Sequence, residues 1–331
     1  MARTLLVGTT KGLSLLEREN GGFELRSRNF DGTLISAVAL DARCPTAYVG
    51  TPKGLFKSSN LQEWNEIDAF KGKEIVYIHV DRETHHVYVG THPQIELYIS
   101  EDHGSSWRAV HFLKKIPQEI QEKWLFHPMP KYGPHVKSIG ASQGRIYLNI
   151  EEGWCYRSDD GGESWEPLLY GGLNIDAHVL AAHPANPDIV YSTDAFGACR
   201  SKDGGRHWIR LNPLNYGMRR YGGGIAVNPA RPDVVLFSVG ISRVLPLGLK
   251  GAQSIIFRSA DGGASWQRAT EGLPDDINGR IEALVFEQSE NPAIYAMSDM
   301  GEVYEGTEDG ARWRQVARHL GNTYMYGLAV L

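Results

Sequence analysis

Cysteine is scarce in this chain. Cys44, Cys155 and Cys199 are the only three in 331 residues, and an odd number so widely spaced reads as free thiols rather than a disulfide or metal framework. No apolar run approaches the ~20 residues that span a bilayer, so no membrane segment is expected. Neither sign of charge dominates: 34 Lys and Arg stand against 39 Asp and Glu, a net charge of −5, which leaves no broad basic footprint for nucleic acid. CxxC pairs, Gly-rich phosphate loops and nucleophile-elbow patterns are absent. The start, Met1-Ala2-Arg3-Thr4-Leu5-Leu6-Val7-Gly8, has the look of a short signal, but Gly8, Thr9, Thr10 and Lys11 interrupt it. We read it as a strand of a repeat and expect a soluble, cytoplasmic protein.

What the chain does have is one recurring turn, Ser-x-Asp-x-Gly-x-x-Trp. Complete copies run Ser100–Trp107, Ser158–Trp165, Ser201–Trp208 and Ser259–Trp266; shortened ones run Ser58–Trp64 and Thr307–Trp313, and a worn one Glu17–Phe23. The residue types suit a tight β-turn: Ser and Asp oxygens accept backbone N–H groups, Gly supplies positive φ, and Trp opens the next strand with a ring to bury. The motif resembles that of the Asp-box (BNR) repeat propellers, which include sialidases, the sortilin luminal domain, xyloglucan-active glycosidases and photosystem II assembly factors. That resemblance implies a box between the third and fourth strands of each blade, on the side away from the ligand pocket.

The final aromatics of the seven copies are spaced 41, 43, 58, 43, 58 and 47 residues apart, close to a propeller period. The fold class expected is therefore all-β, a seven-bladed β-propeller of four-stranded antiparallel blades in a single domain, residues 1–331. Thr4–Thr9 already reads as a second strand. The missing first strand is expected at the C-terminus, in residues 326–331, pairing with the N-terminal strands and removing an open sheet edge.

Two repeats are longer by about 15 residues. The extra length falls at Phe112–Pro134, carrying Trp124, His127, Lys131 and Tyr132, and at Ser238–Ser254. Both connections open on the side opposite the boxes, where long loops carry function. Collecting residues on that side gives the candidate catalytic set His135, His178, Glu151 and Asp194. The ligand-binding candidates are His92, Glu152, Arg219, Arg220, Tyr221, Arg243, Arg280, Tyr324 and Tyr326. His92, His135 and His178 with a carboxylate could hold a divalent metal or move protons near neutral pH; water-bound channel polarity is the alternative. The arginines could clamp a carboxylate or uronate through bidentate forks, with a solvated rim as the alternative.

Family activities do not transfer directly. Sialidases are six-bladed and begin with an Arg-Ile-Pro motif that this chain lacks, and xyloglucan-active relatives use two propeller domains. We expect a small polar or anionic, carbohydrate-like ligand, with hydrolase or lyase chemistry by a His and carboxylate set. A non-enzymatic binding or assembly propeller is the competing expectation, since fold alone does not choose.

Overall fold

In the computed structural model, residues 3–41, 43–124, 133–169, 171–211, 219–241, 251–307, 309–323 and 327–331 are described. Strands alternate with tight turns and gather into seven four-stranded sheets. Blade 1 contains Thr4–Thr9, Gly12–Glu19 and Gly22–Asn29, and blades 2 to 7 span residues 37–66, 74–109, 136–168, 177–210, 221–268 and 281–317. The protein is a seven-bladed β-propeller. Blade 1 takes its remaining strand, Leu328–Val330, from the C-terminus, with Leu5, Leu6 and Val7 opposite Val330, Ala329 and Leu328. The terminal strand is thus where the sequence required it.

The boxes occupy the turn between third and fourth strands. In blade 4, Ser158 Oγ accepts the Gly162 N–H at 2.8 Å, Asp160 Oδ1 accepts the Ser164 N–H at 2.9 Å, and Trp165 Nε1 donates to Gly162 O at 3.2 Å. Gly161 and Gly162 have φ of 69° and 90°, which only glycine adopts freely. One short turn thereby satisfies its own backbone and points a Trp into the sheet packing.

Contacts divide the chain into two compact units, one of residues 1–38, 195–198 and 211–331, the other of residues 39–194 and 199–210. In the first, Leu236, Ile256, Ile281, Ile294 and Trp313 pack blade 6 against blade 7, and Leu5, Val7, Phe23, Tyr295 and Val330 pack blade 7 against blade 1. In the second, Tyr147, Cys155, Leu168, Val190, Cys199 and Trp208 form the seam of blades 4 and 5. The long connection before blade 4 forms two single-turn helices, Phe112–Lys115 and Gln118–Gln121. Phe112 meets Tyr156 and Trp165 edge-on, and Trp124 Nε1 donates to the Tyr156 hydroxyl at 2.8 Å. His127, Lys131 and Tyr132 lie outside the described residues.

Candidate functional site

In each four-stranded sheet the start of the first strand lies beside the end of the second, at the end opposite the box. In blades 3, 4 and 5 that end carries ionisable side chains. The first strand of blade 4, Val136–Ser142, packs beside the first strands of blade 3, Glu74–Val80, and blade 5, Ala177–Ala182. His92 pairs in register with Glu74, and its Nδ1 lies 2.9 Å from Glu74 Oε2. The rings of His92 and His135 meet edge to face, with centroids 5.8 Å apart. Lys137 Nζ lies 2.8 Å from Glu151 Oε2, and His178 Nε2 lies 3.2 Å from Asp176 Oδ1. Glu151, Asp176 and His178 bring ligand atoms within 4.8 Å of one another.

The backbone that presents these groups departs from ideal strand. Register shifts interrupt the ladder between Val136 and Ser138 and between Ala177 and Leu180, and such bulges re-aim side chains beside sites. The His178 carbonyl, lifted from the ladder, accepts from Ser138 Oγ at 2.7 Å, so the distortion is satisfied rather than left open. In the turn after the second strand of blade 4, Glu152 and Trp154 have φ of 54° and 67°, a conformation non-glycine residues adopt at a cost of about 1–2 kcal/mol. Backbone bonds tie that turn to its neighbours: Glu151 N–H donates to His135 O at 2.9 Å, and Trp154 N–H to Ile175 O at 3.2 Å.

Electrostatics sets the protonation of the central groups. Burial and the Lys137 charge together lower the His135 imidazole below its ordinary value, so it is neutral at pH 7. Its Nδ1 lies 3.0 Å from Gly133 O; a carbonyl only accepts, so Nδ1 carries the proton and Nε2 keeps its lone pair. Burial alone would raise the Glu151 carboxyl, but its neighbours, the Lys137 ammonium first among them, outweigh it and hold Glu151 below the usual range. The arrangement is a neutral imidazole base beside an ammonium–carboxylate pair, with a second imidazole–carboxylate pair next to it.

The predicted residues separate into several places. His92, His135, Glu151 and His178 fall in one cluster, with Glu152 in its strained turn. Asp194 is fully buried and paired in bidentate fashion with Arg210 at 2.6 and 2.7 Å. It also accepts the Asn174 N–H at 3.0 Å, and Asn174 Oδ1 accepts the Asp176 N–H at 2.9 Å. Asp194 thus holds the loop that presents Asp176. In the other unit, Arg219 donates through Nε to Gln253 O at 2.8 Å and pairs with Asp276, Arg220 is exposed, and the Arg280 guanidinium lies over the Tyr221 ring, 4.4 Å from its centroid. Arg243, Tyr324 and Tyr326 lie outside the described residues. The three imidazoles expected around a metal are replaced by one imidazole and two carboxylates, since His92 and His135 are not in that group. Its donors suit a divalent ion, yet an ion on Glu151 would have to compete with the Lys137 ammonium. Sequence reading did not pick Glu74 or Lys137. Lys137 follows His135 by two residues, and that spacing was the available signal.

A match to the BNR/Asp-box repeat covers residues 156–167, the box of blade 4 and its flanks. In sequence, 215 residues are 29% identical to xyloglucanase Xgh74A of Acetivibrio thermocellus, covering 56% of this chain and 24% of that protein; the chain therefore spans about a quarter of that relative. In structure, it is similar to a GH74 xyloglucanase from Xanthomonas campestris, with a TM-score of 0.64 and 16% identity over 95% of this chain and 54% of that one. It is also similar to YCF48 bound to a D1 peptide, with a TM-score of 0.59 and 15% identity over 91% and 86%. At these identities the structural likeness carries the fold alone, while the repeated box, the match over residues 156–167 and the fold agree: the chain is a seven-bladed propeller that carries the BNR/Asp-box repeat.

Proposed function

We propose that the protein binds a small anionic, carbohydrate-like ligand, of the uronate kind, at the end of blades 3 to 5, and acts on it by acid–base chemistry of hydrolase or lyase type. The observation that carries this reading is the grouping of a neutral His135, the Lys137–Glu151 pair and the Asp176–His178 pair on strand ends distorted by bulges. In this reading Lys137 meets the ligand carboxylate, and His135 Nε2 takes a proton from the reacting carbon or hydroxyl. Asp176 is the second carboxylate, positioned by His178 and, through Asn174, by Asp194. The similarity to xyloglucan-acting propellers agrees with a sugar-derived ligand. No metal step is assigned, because Lys137 already neutralises Glu151.

The test is a thermal-shift panel of uronates, neutral sugars and aldonates, repeated after chelation and with His135→Gln. Uronates should raise the melting temperature of the wild type with or without chelator, and His135→Gln should lose that rise while keeping its own melting temperature within a few degrees. A response to neutral sugars only, or an equal response in His135→Gln, contradicts the reading. No response across the panel, with binding of an extended peptide, favours the assembly-propeller alternative.

A further inference from the structure

One thiol lies at the opposite end of the strands from the cluster described above. Cys44 stands in the turn between the first two strands of blade 2, and His103 is the fourth residue of the blade 3 box. The His103 ring sits between two groups: Nδ1 is 2.8 Å from Asp41 Oδ2, and Nε2 is 3.9 Å from Cys44 Sγ. Asp41 is fully buried; its other oxygen lies 2.8 Å from His85 Nδ1 and accepts the Arg43 N–H at 3.1 Å. Burial alone would raise this carboxyl, but the bonds from His103, His85 and Arg43 hold it below its ordinary value. A carboxylate only accepts, so the His103 proton sits on Nδ1 and the Nε2 lone pair is left for the thiol. Nucleophile, base and orienting carboxylate follow in the order that activates a nucleophile.

The backbone supplies a second, independent observation. At the position of His103 the other complete boxes carry Gly161, Gly204 and Gly262, with φ of 69°, 71° and 65°, whereas His103 adopts 55°. A side chain there is less favourable than glycine, and the side chain placed there is the one that reaches Asp41 and Cys44. Departures from a repeat's own rule concentrate at functional positions. The other thiols differ: Cys155 and Cys199 are fully buried, and burial pushes Cys199 up to about 12. Cys44 is only half-buried.

We propose that Cys44, His103 and Asp41 form a nucleophilic thiol site that takes small carbon electrophiles bearing a leaving group, of the acyl or alkyl kind. His103 Nε2 takes the thiol proton and the sulfur attacks the carbon. The S–C bond forms as the bond to the leaving group breaks, that group departs with the electron pair, and the imidazolium returns the proton to it where it is basic. The charged and titratable groups around the pair are His85, Arg43, Tyr48, Asp81, Asp102 and Lys57. Asp81 caps the His85 turn, Asp102 is tied to Ser100, Ser105 and Ser106, and Lys57 Nζ donates to Gly104 O at 3.0 Å.

Iodoacetamide is the probe, with mass spectrometry to locate the label. His103→Gly restores the glycine of the other boxes and so preserves the turn, and His103→Asn offers a second residue type that tolerates this backbone. At pH 6.5 Cys44 of the wild type should alkylate about tenfold or more faster than in either variant. The rates should converge above about pH 9.5, where an ordinary thiol ionises unaided, and Cys155 and Cys199 should stay unlabelled in the folded protein. Equal rates at pH 6.5, or label on Cys155 or Cys199 ahead of Cys44, overturn the proposal.

Discussion

A carboxylate with no exposed surface keeps its charge only where partners replace water, and Asp194 has them in the Arg210 fork and the Asn174 N–H. Its residue type and strand-end position suggest catalysis, but its bonds give it the work of holding a loop. Asp194→Ala should therefore destabilise the protein by about 2–4 kcal/mol, somewhat less than a fully buried pair because Arg210 reaches solvent. Chemical denaturation measures this. A variant as stable as the wild type would mean that the pair contributes nothing net. His178 is likewise 2% exposed and lies against Asp176, whereas His135 Nε2 keeps its lone pair. Sequence equivalence gave the two histidines the same place in adjacent blades but could not rank them, because burial is decided by neighbouring blades.

The Asp-box turn was legible at the level of the element, since each bond it makes is local: Ser158, Asp160 and Ser164 lie within seven residues. Their hydrogen bonds, led by the Ser164 hydroxyl, hold the Asp160 carboxyl down to about 2. Because the folded value lies below the unfolded ~3.9, the stabilisation is complete above about pH 4 and is lost as pH falls toward 2. Asp160→Ala should lower the melting temperature at pH 7 and flatten the fall in stability between pH 4 and 2, with ligand response unchanged. An unaltered acid slope would show that the box carboxylate does not drive it. The bulges were not legible. Strand alternation assumes a period of two, and the shift at Val136–Ser138 breaks that period at Lys137, which is why a strand lysine only 7% exposed went unread. His103 was hidden for the opposite reason: within the motif it looks like a tolerated variation, and only its contacts with Asp41 and Cys44 across two blades give it meaning.

For the whole molecule, seven markers at near-regular spacing and a chain that starts on a second strand were enough to derive seven blades and the C-terminal strand of blade 1. A repeat constrains architecture because every copy must bury its sheet against the next. It does not constrain chemistry, which in the proposed reading sits where copies differ, in the cluster of blades 3 to 5. The most direct measurement of its role is a crystal structure grown with the uronate that shifts the melting temperature most. The account predicts a ligand oxygen within about 3.2 Å of Lys137 Nζ or His135 Nε2, and loss of that ligand in crystals of His135→Gln. Ligand bound away from blades 3 to 5, or held equally well by His135→Gln, would contradict it.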